Sequence, residues 1–127
     1  MTTITVDSSV QAQYEKMTED FRATQTSLST FVEARQQLES QYQENKIVQK
    51  EFSILDDDSK IYKLIGPVLV PQDKSEAVIN VDKRLEFIES EIKRIENEIN
   101  DTRTTSEKKR AELIAFQTQI QEKARSS

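Results

Sequence analysis

Between Val10 and Phe52, and again between Val78 and Ile120, apolar side chains return at alternating steps of four and three residues. A stripe with that spacing stays on one side of a helix and needs a second helix to cover it, so both stretches predict long coiled-coil arms. The first ladder reads Val10, Tyr14, Met17, Phe21, Thr24, Leu28, Phe31, Arg35, Leu38, Tyr42, Asn45, Gln49 and Phe52, with nine of thirteen positions apolar. The second is cleaner: Val78, Val81, Leu85, Ile88, Ile92, Ile95, Ile99, Thr102, Ser106, Lys109, Leu113, Phe116 and Ile120, ten of thirteen apolar. Near the end of the first arm Ile47, Val48, Ile54 and Leu55 carry apolar character off the stripe. That widening predicts contact with more than one neighbour.

Neither arm contains glycine or proline. The helix-breaking residues are gathered in Lys60–Asp73, K-I-Y-K-L-I-G-P-V-L-V-P-Q-D, which holds Gly66, Pro67 and Pro71. Ile61, Tyr62, Leu64 and Ile65 precede the Gly66-Pro67 break and Val68, Leu69 and Val70 follow it, a run of β-formers that predicts a hairpin. Gly-Pro is not among the usual two-residue hairpin turns, which leaves the register open, and Pro71 suits only a strand end or an edge. Both faces of the hairpin carry apolar side chains. In water a lone two-stranded hairpin cannot hide two such faces, so it either folds down over its own helices or pairs with strands of other chains, and the pattern favours the second.

The chain therefore reads as one unit over residues 1–127 with a mainly α fold: a long antiparallel two-helix coiled coil whose arms are joined by a β-hairpin. The predicted spans are about 8–57 for the first helix, 60–72 for the hairpin and 74–125 for the second helix. Thr2–Asp7 reads as a frayed lead, with Asp7, Ser8 or Ser9 available as a cap. Asp56-Asp57-Asp58 ends the first arm, because acids at a helix C-terminus oppose its dipole, and Asp73-Lys74-Ser75-Glu76 resembles a capping box that starts the second. Each arm would be roughly 70 to 80 Å long at about 1.5 Å per residue.

Folded back on each other, the ladders meet with facing residue numbers summing to 130 or to 137, and periodicity alone does not choose. Either register puts the strongest apolar packing near the hairpin, around Phe52, Leu38, Leu85, Ile88, Ile92, Ile95 and Ile99. Thr102, Ser106 and Lys109, with Thr24 opposite or nearby, predict the weakest part of the seam. Beyond it apolar character returns in Met17, Phe21, Leu113, Ile114, Phe116 and Ile120. These residues either close the coil by ordinary seam packing or open to a partner at low cost.

Composition removes most chemistry from consideration. A formal net charge of −5 argues against a surface built for nucleic acid. With no cysteine and no histidine there is no thiolate, disulfide, imidazole or Cys/His zinc chemistry. The consecutive acids Asp56–Asp58 lack the glycine turn and later glutamate of a calcium loop, so no metal and no cofactor is expected. No phosphate-binding loop or nucleophile elbow is present, and the chain is not expected to be an enzyme. The opening M-T-T-I-T-V-D lacks the features of a secretory leader, and no run approaches the roughly 18 apolar residues of a membrane span. These features predict a soluble intracellular protein without a membrane partner. A mean hydropathy of −0.72 with 35% hydrophobic residues is too polar for a thick globular core and fits thin, ordered helices.

Three segments resemble a β-class prefoldin subunit: Leu38–Leu55, L-E-S-Q-Y-Q-E-N-K-I-V-Q-K-E-F-S-I-L; Ile61–Val70, I-Y-K-L-I-G-P-V-L-V; and Asn80–Glu91, N-V-D-K-R-L-E-F-I-E-S-E. The resemblance implies a cytoplasmic hexamer of two α-class and four β-class subunits, with hairpins joined in a β-barrel base and coiled coils hanging from it. It implies ATP-independent capture of unfolded actin, tubulin and other chains, and their delivery to the group II chaperonin. Carried onto this chain, Ile61, Tyr62, Leu64, Ile65, Gly66, Val68, Leu69 and Val70 would serve assembly. Met17, Phe21, Leu113, Phe116 and Ile120 would lie toward the client-binding tips. Many members carry a residue with a backbone donor where Pro71 stands, which leaves the length of the second strand open. The alternative from a different class is a structural or tethering coiled-coil hairpin that recruits partner helices, although a tether needs only a polar loop where this hairpin is apolar on both faces.

Overall fold

The structure, a computed structural model, describes residues 7–56 and 58–126. Helix α1 (Ser8–Ile54), strands β1 (Ile61–Ile65) and β2 (Val68–Gln72), and helix α2 (Lys74–Ser126) follow in that order. The helices, 47 and 53 residues long, form an antiparallel coiled coil joined by the two-stranded hairpin.

Both ends of α1 and the start of α2 have an identifiable cause. Asp7 caps α1, its carbonyl accepting the Gln11 N–H at 3.0 Å and its Oδ1 the Ser9 N–H at 3.3 Å. At the other end the Leu55 N–H reaches the Phe52 carbonyl at 3.4 Å, and Lys74 donates from Nζ to the Leu55 carbonyl at 2.6 Å. An ammonium at these carbonyls complements the negative end of the helix dipole. Asp73 begins α2, its carbonyl accepting the Ala77 N–H at 3.0 Å. Residues 2–6 of the polar lead and Asp57 of the acidic stop lie outside the described residues.

All positions of both ladders are buried or half-buried. On α2, Val81, Leu85, Ile88, Ile95 and Ile99 are only 3% to 6% exposed, and Ala77, off the ladder, is buried with them. No described side chain of α1 is fully buried. The difference follows from residue type: the α2 ladder near the hairpin is compact Val, Leu and Ile, whereas long Tyr, Phe, Arg and Gln side chains on α1 reach past the seam to solvent.

Polar partners decide the register. Within Ala34–Glu96, Arg35 meets Glu96, Tyr42 meets Glu89 and Gln49 meets Asp82, pairs whose numbers sum to 131, and Asn45 meets Arg84 at 129. The other compact unit combines the chain up to Glu33 with the chain from Asn97; here Tyr14 stacks on Phe116, summing to 130, and Gln25 bonds Ser106, summing to 131. Each unit adopts the 130 register, not the 137.

The polar ladder positions of α1 are satisfied at the margin of the seam or within their own helix. Arg35 donates from Nε and Nη2 to Glu96 Oε1 at 3.2 and 2.8 Å, and Gln49 Nε2 donates to Asp82 Oδ1 at 2.8 Å. Asn45 Oδ1 accepts from Arg84 Nη1 at 3.3 Å, and Thr24 Oγ1 donates to its own helix at the Phe21 carbonyl, 2.6 Å away. Packing thins beside the ladder's polar run. A groove of about 300 Å³ lies there between Asp20, Thr24 and Phe31 on α1 and Asp101, Thr102, Thr105 and Lys109 on α2.

Candidate assembly and capture surfaces

The hairpin is an antiparallel pair with Ile61 opposite Gln72, Tyr62 opposite Pro71, Lys63 opposite Val70, Leu64 opposite Leu69 and Ile65 opposite Val68. Gly66 and Pro67 alone form the turn, so the dipeptide that left the register open from sequence does make a two-residue connection. Gly66 has φ of 57°, and among the described residues no other has positive φ. A type I′ turn needs positive φ at both central residues, which proline cannot adopt; a glycine followed by a residue at negative φ fits type II′. A Cβ built on Gly66 meets nothing within 4 Å, so glycine is required by backbone conformation and not by space.

A two-residue turn also dictates which pairs exchange hydrogen bonds. Ile65 and Val68 close the turn and are a bonded pair, and alternation makes Lys63/Val70 and Ile61/Gln72 the next two. Leu64/Leu69 and Tyr62/Pro71 are the non-bonded pairs, whose backbone groups point away from the partner strand. Pro71 therefore sits inside β2 without breaking the ladder, because the N–H it lacks would have pointed outward.

Apart from Ile61, which is half-buried, the apolar side chains of this element stay uncovered. Tyr62, Leu64, Ile65, Val68 and Leu69 are 50% to 67% exposed and Val70 is 38% exposed, so the hairpin does not fold down over its helices. Alternation puts Tyr62, Leu64 and Leu69 on one face and Ile61, Ile65, Val68 and Val70 on the other. The second face overlooks the start of α2, where Lys63, Val70 and Gln72 line an open groove of about 350 Å³ with Glu76, Ile79 and Asn80. On the helices nearby, Ile47, Ile54, Leu55, Ile79 and Phe87 are also exposed. Ile79 and Phe87 escape a ladder count because they lie off the 4-3 stripe; the available signal was an apolar residue at a position that the stripe assigns to solvent.

The five residues expected toward the tips share one length of the seam. Met17, Phe21, Leu113, Phe116 and Ile120 are all half-buried. Tyr14 stacks on Phe116 with centroids 6.4 Å apart and planes at 17°, and its hydroxyl accepts from Gln117 Nε2 at 2.7 Å. The coil is thus wound here, with Ile114, 49% exposed, the large apolar side chain left outside the seam on this length of α2. Among the described residues, no group of three or more acidic side chains converges to hold a metal ion, and no helix is long and apolar enough to cross a membrane.

Comparison with known proteins agrees with this geometry. The prefoldin subunit family profile matches residues 15–120, both arms and the hairpin between them. Prefoldin subunit 6 of Saccharomyces cerevisiae is 54% identical over 94 residues, covering 74% of this chain and 82% of that protein. Prefoldin subunit 6 of Homo sapiens is 39% identical over 112 residues, covering 88% and 87%. Among solved structures, the prefoldin beta subunit from Thermococcus strain KS-1 superposes with a TM-score of 0.56 at 26% identity, over 98% of each chain. Two coiled helices joined by an apolar hairpin, a family match that spans them and relatives of high identity together establish that the chain belongs to the prefoldin subunit family, a family of chaperone subunits.

Proposed function

We propose that this chain joins other prefoldin subunits, of the α and β classes, through its hairpin, and that the assembled particle captures unfolded chains at the ends of its coils. Actin and tubulin are the clients in this reading, and the group II chaperonin of the cytoplasm receives them. Residues 1–127 act as one unit, with Ile61, Tyr62, Leu64, Ile65, Gly66, Val68, Leu69 and Val70 in assembly. Met17, Phe21, Leu113, Phe116 and Ile120 supply the capture surface. One observation carries the assembly half: the hairpin leaves large apolar side chains exposed on both faces, which water disfavours and strand pairing with other subunits would cover. Capture rests on number. A single coil end buries little apolar surface and binds weakly, but several ends around one flexible client raise its effective concentration at each. No nucleotide and no bond-making step is needed.

The test is the native mass and subunit composition of the complex recovered from cells with a tagged copy of the chain. The expected result is a particle several times the 14.7 kDa chain mass, carrying other hairpin subunits. A free monomer, or a complex with one long-helix partner alone, overturns the reading and favours a tether.

A further inference from the structure

Two runs without Asp, Glu, Lys or Arg lie side by side in the unit that combines the chain up to Glu33 with the chain from Asn97. Residues 8–14 and 113–121 are uncharged in a sequence that is 32% charged. The stacking of Tyr14 on Phe116 brings them level, so about 10 Å of coil, at about 1.5 Å per residue, bears no charge on either helix. Glu15, Lys16 and Glu112 border this band on one side, and Asp7, Glu122 and Lys123 on the other. The uncharged run 23–32 of α1 does not repeat the arrangement, because in the same register it faces Glu98, Asp101 and Arg103.

The two sides of the seam differ within the band. On one side Gln117 donates to the Tyr14 hydroxyl at 2.7 Å and Gln11 donates to Glu15 Oε1 at 3.4 Å, so both amides are held within the chain. Gln13 and Gln119 follow them by two residues, about 200° around the helix at about 100° per residue, which turns both to the opposite side. There the two amides are exposed and flank the half-buried Val10, Met17 and Phe116.

We propose that this second side of the band holds a client by its backbone: the Gln13 and Gln119 amides pair with peptide groups of an extended segment, and apolar client side chains cover Val10, Met17 and Phe116. An amide side chain offers the same donor and acceptor as a peptide group and so fits any sequence. A folded protein keeps its peptide groups paired and its large apolar side chains inside, and offers neither. With no charge on either helix, the band does not sort segments by the sign of their charge, and salt has little to screen. The inference rests on the capture reading and deepens it, naming unfolded segments of either charge as the ligand and one side of the seam as the place.

The test places a photo-crosslinking residue at Gln119 or, level with it on the other side of the seam, at Gln11, in the chain assembled into its complex. The probes are two labelled unfolded peptides of equal apolar content, one acidic and one basic. Gln119 is expected to crosslink to both equally at low and at high salt, and about fivefold more than Gln11, the effect of one hydrogen bond. Equal yields at the two positions overturn the side assignment, and a yield confined to one peptide overturns the indifference to charge. Gln13→Glu, read by the crosslinker at Gln119 of the same chain, is expected to lower the yield of the acidic peptide about threefold relative to the basic one, an effect that high salt removes. An unchanged ratio overturns contact at Gln13. Joint replacement of Met17, Phe21, Phe116 and Ile120 by serine separates the two levels. If that variant binds both peptides undiminished, the capture reading itself fails; if it loses them while Gln119 of the otherwise unaltered chain gives no crosslink, this inference alone is overturned.

Discussion

Gln25 on α1 donates from Nε2 to the Oγ of Ser106 on α2 at 2.8 Å, and Ser106 is 3% exposed. A polar residue thus occupies a buried ladder position, kept tolerable by one bond to a side chain that itself sits at the surface. Removing the hydroxyl strands nothing, because the exposed Gln25 amide turns to water. Ser106→Ala is expected to change stability by less than about 1 kcal/mol. Thr102, the preceding ladder residue, borders the open groove. Thr102→Leu is expected to fill part of it and raise stability by about 1 kcal/mol. Urea unfolding of both variants checks the pair, and a lower midpoint for Thr102→Leu contradicts the assignment of this zone as underpacked.

The seam next to the hairpin behaves differently. Ile88 is 3% exposed, and the register set by the Tyr42–Glu89 pair brings it to the level of Tyr42 on α1. Ile88→Ala is expected to cost about 2 to 5 kcal/mol, the range for emptying a packed apolar site. Thermal unfolding followed by circular dichroism provides the comparison, and a loss no larger than that of Ser106→Ala argues against the stability gradient.

At Gly66 an added methyl group meets no neighbour, yet φ lies in the left-handed region. Gly66→Ala is therefore expected to strain the turn by about 1 to 2 kcal/mol without a clash. Because the cost falls on the hairpin, incorporation into the complex is expected to drop while helicity stays the same. A variant that assembles as well as the unaltered chain removes the turn conformation from the assembly argument.

Replacing Met17, Phe21, Phe116 and Ile120 together by serine tests the capture surface. These side chains are half-buried in the seam, so their removal loosens the coil there as well as making it polar. Suppression of client aggregation is expected to fall while the hairpin still assembles. Undiminished suppression by an assembled variant rejects these residues as the capture surface.

Arg94 donates to Glu91, the shortest contact being 2.9 Å from Nη2 to Oε2. That hydrogen bond, helped by the guanidinium charge and opposed by partial desolvation, holds the Glu91 carboxyl below its usual pKa. A carboxyl depressed in the folded state contributes stability above its unfolded value of about 4.3, and the contribution is lost as pH falls through the folded value. An NMR titration is expected to show the Glu91 midpoint rising in Arg94→Ala. No movement of that midpoint disproves the coupling.

The 4-3 repeat determined by itself that two long helices would pair, and all thirteen positions on each arm are turned inward, because a stripe at that spacing has only one side to bury. It equally determined that the break between them would be an apolar hairpin, since β-formers flank the chain's only glycine. Periodicity could not choose between registers, because a shift of one heptad returns apolar residues to face apolar residues. The tertiary structure chose, setting Arg35 against Glu96 and Gln49 against Asp82, where the shifted register would bring Arg35 toward Arg103. The turn was likewise decided in three dimensions. Gly66 takes the left-handed position of a two-residue reversal, and the alternation counted from it turns the donorless side of Pro71 outward. Which apolar residues stay exposed was also a tertiary outcome, since Ile79 and Phe87 become visible only when the seam is seen to face elsewhere.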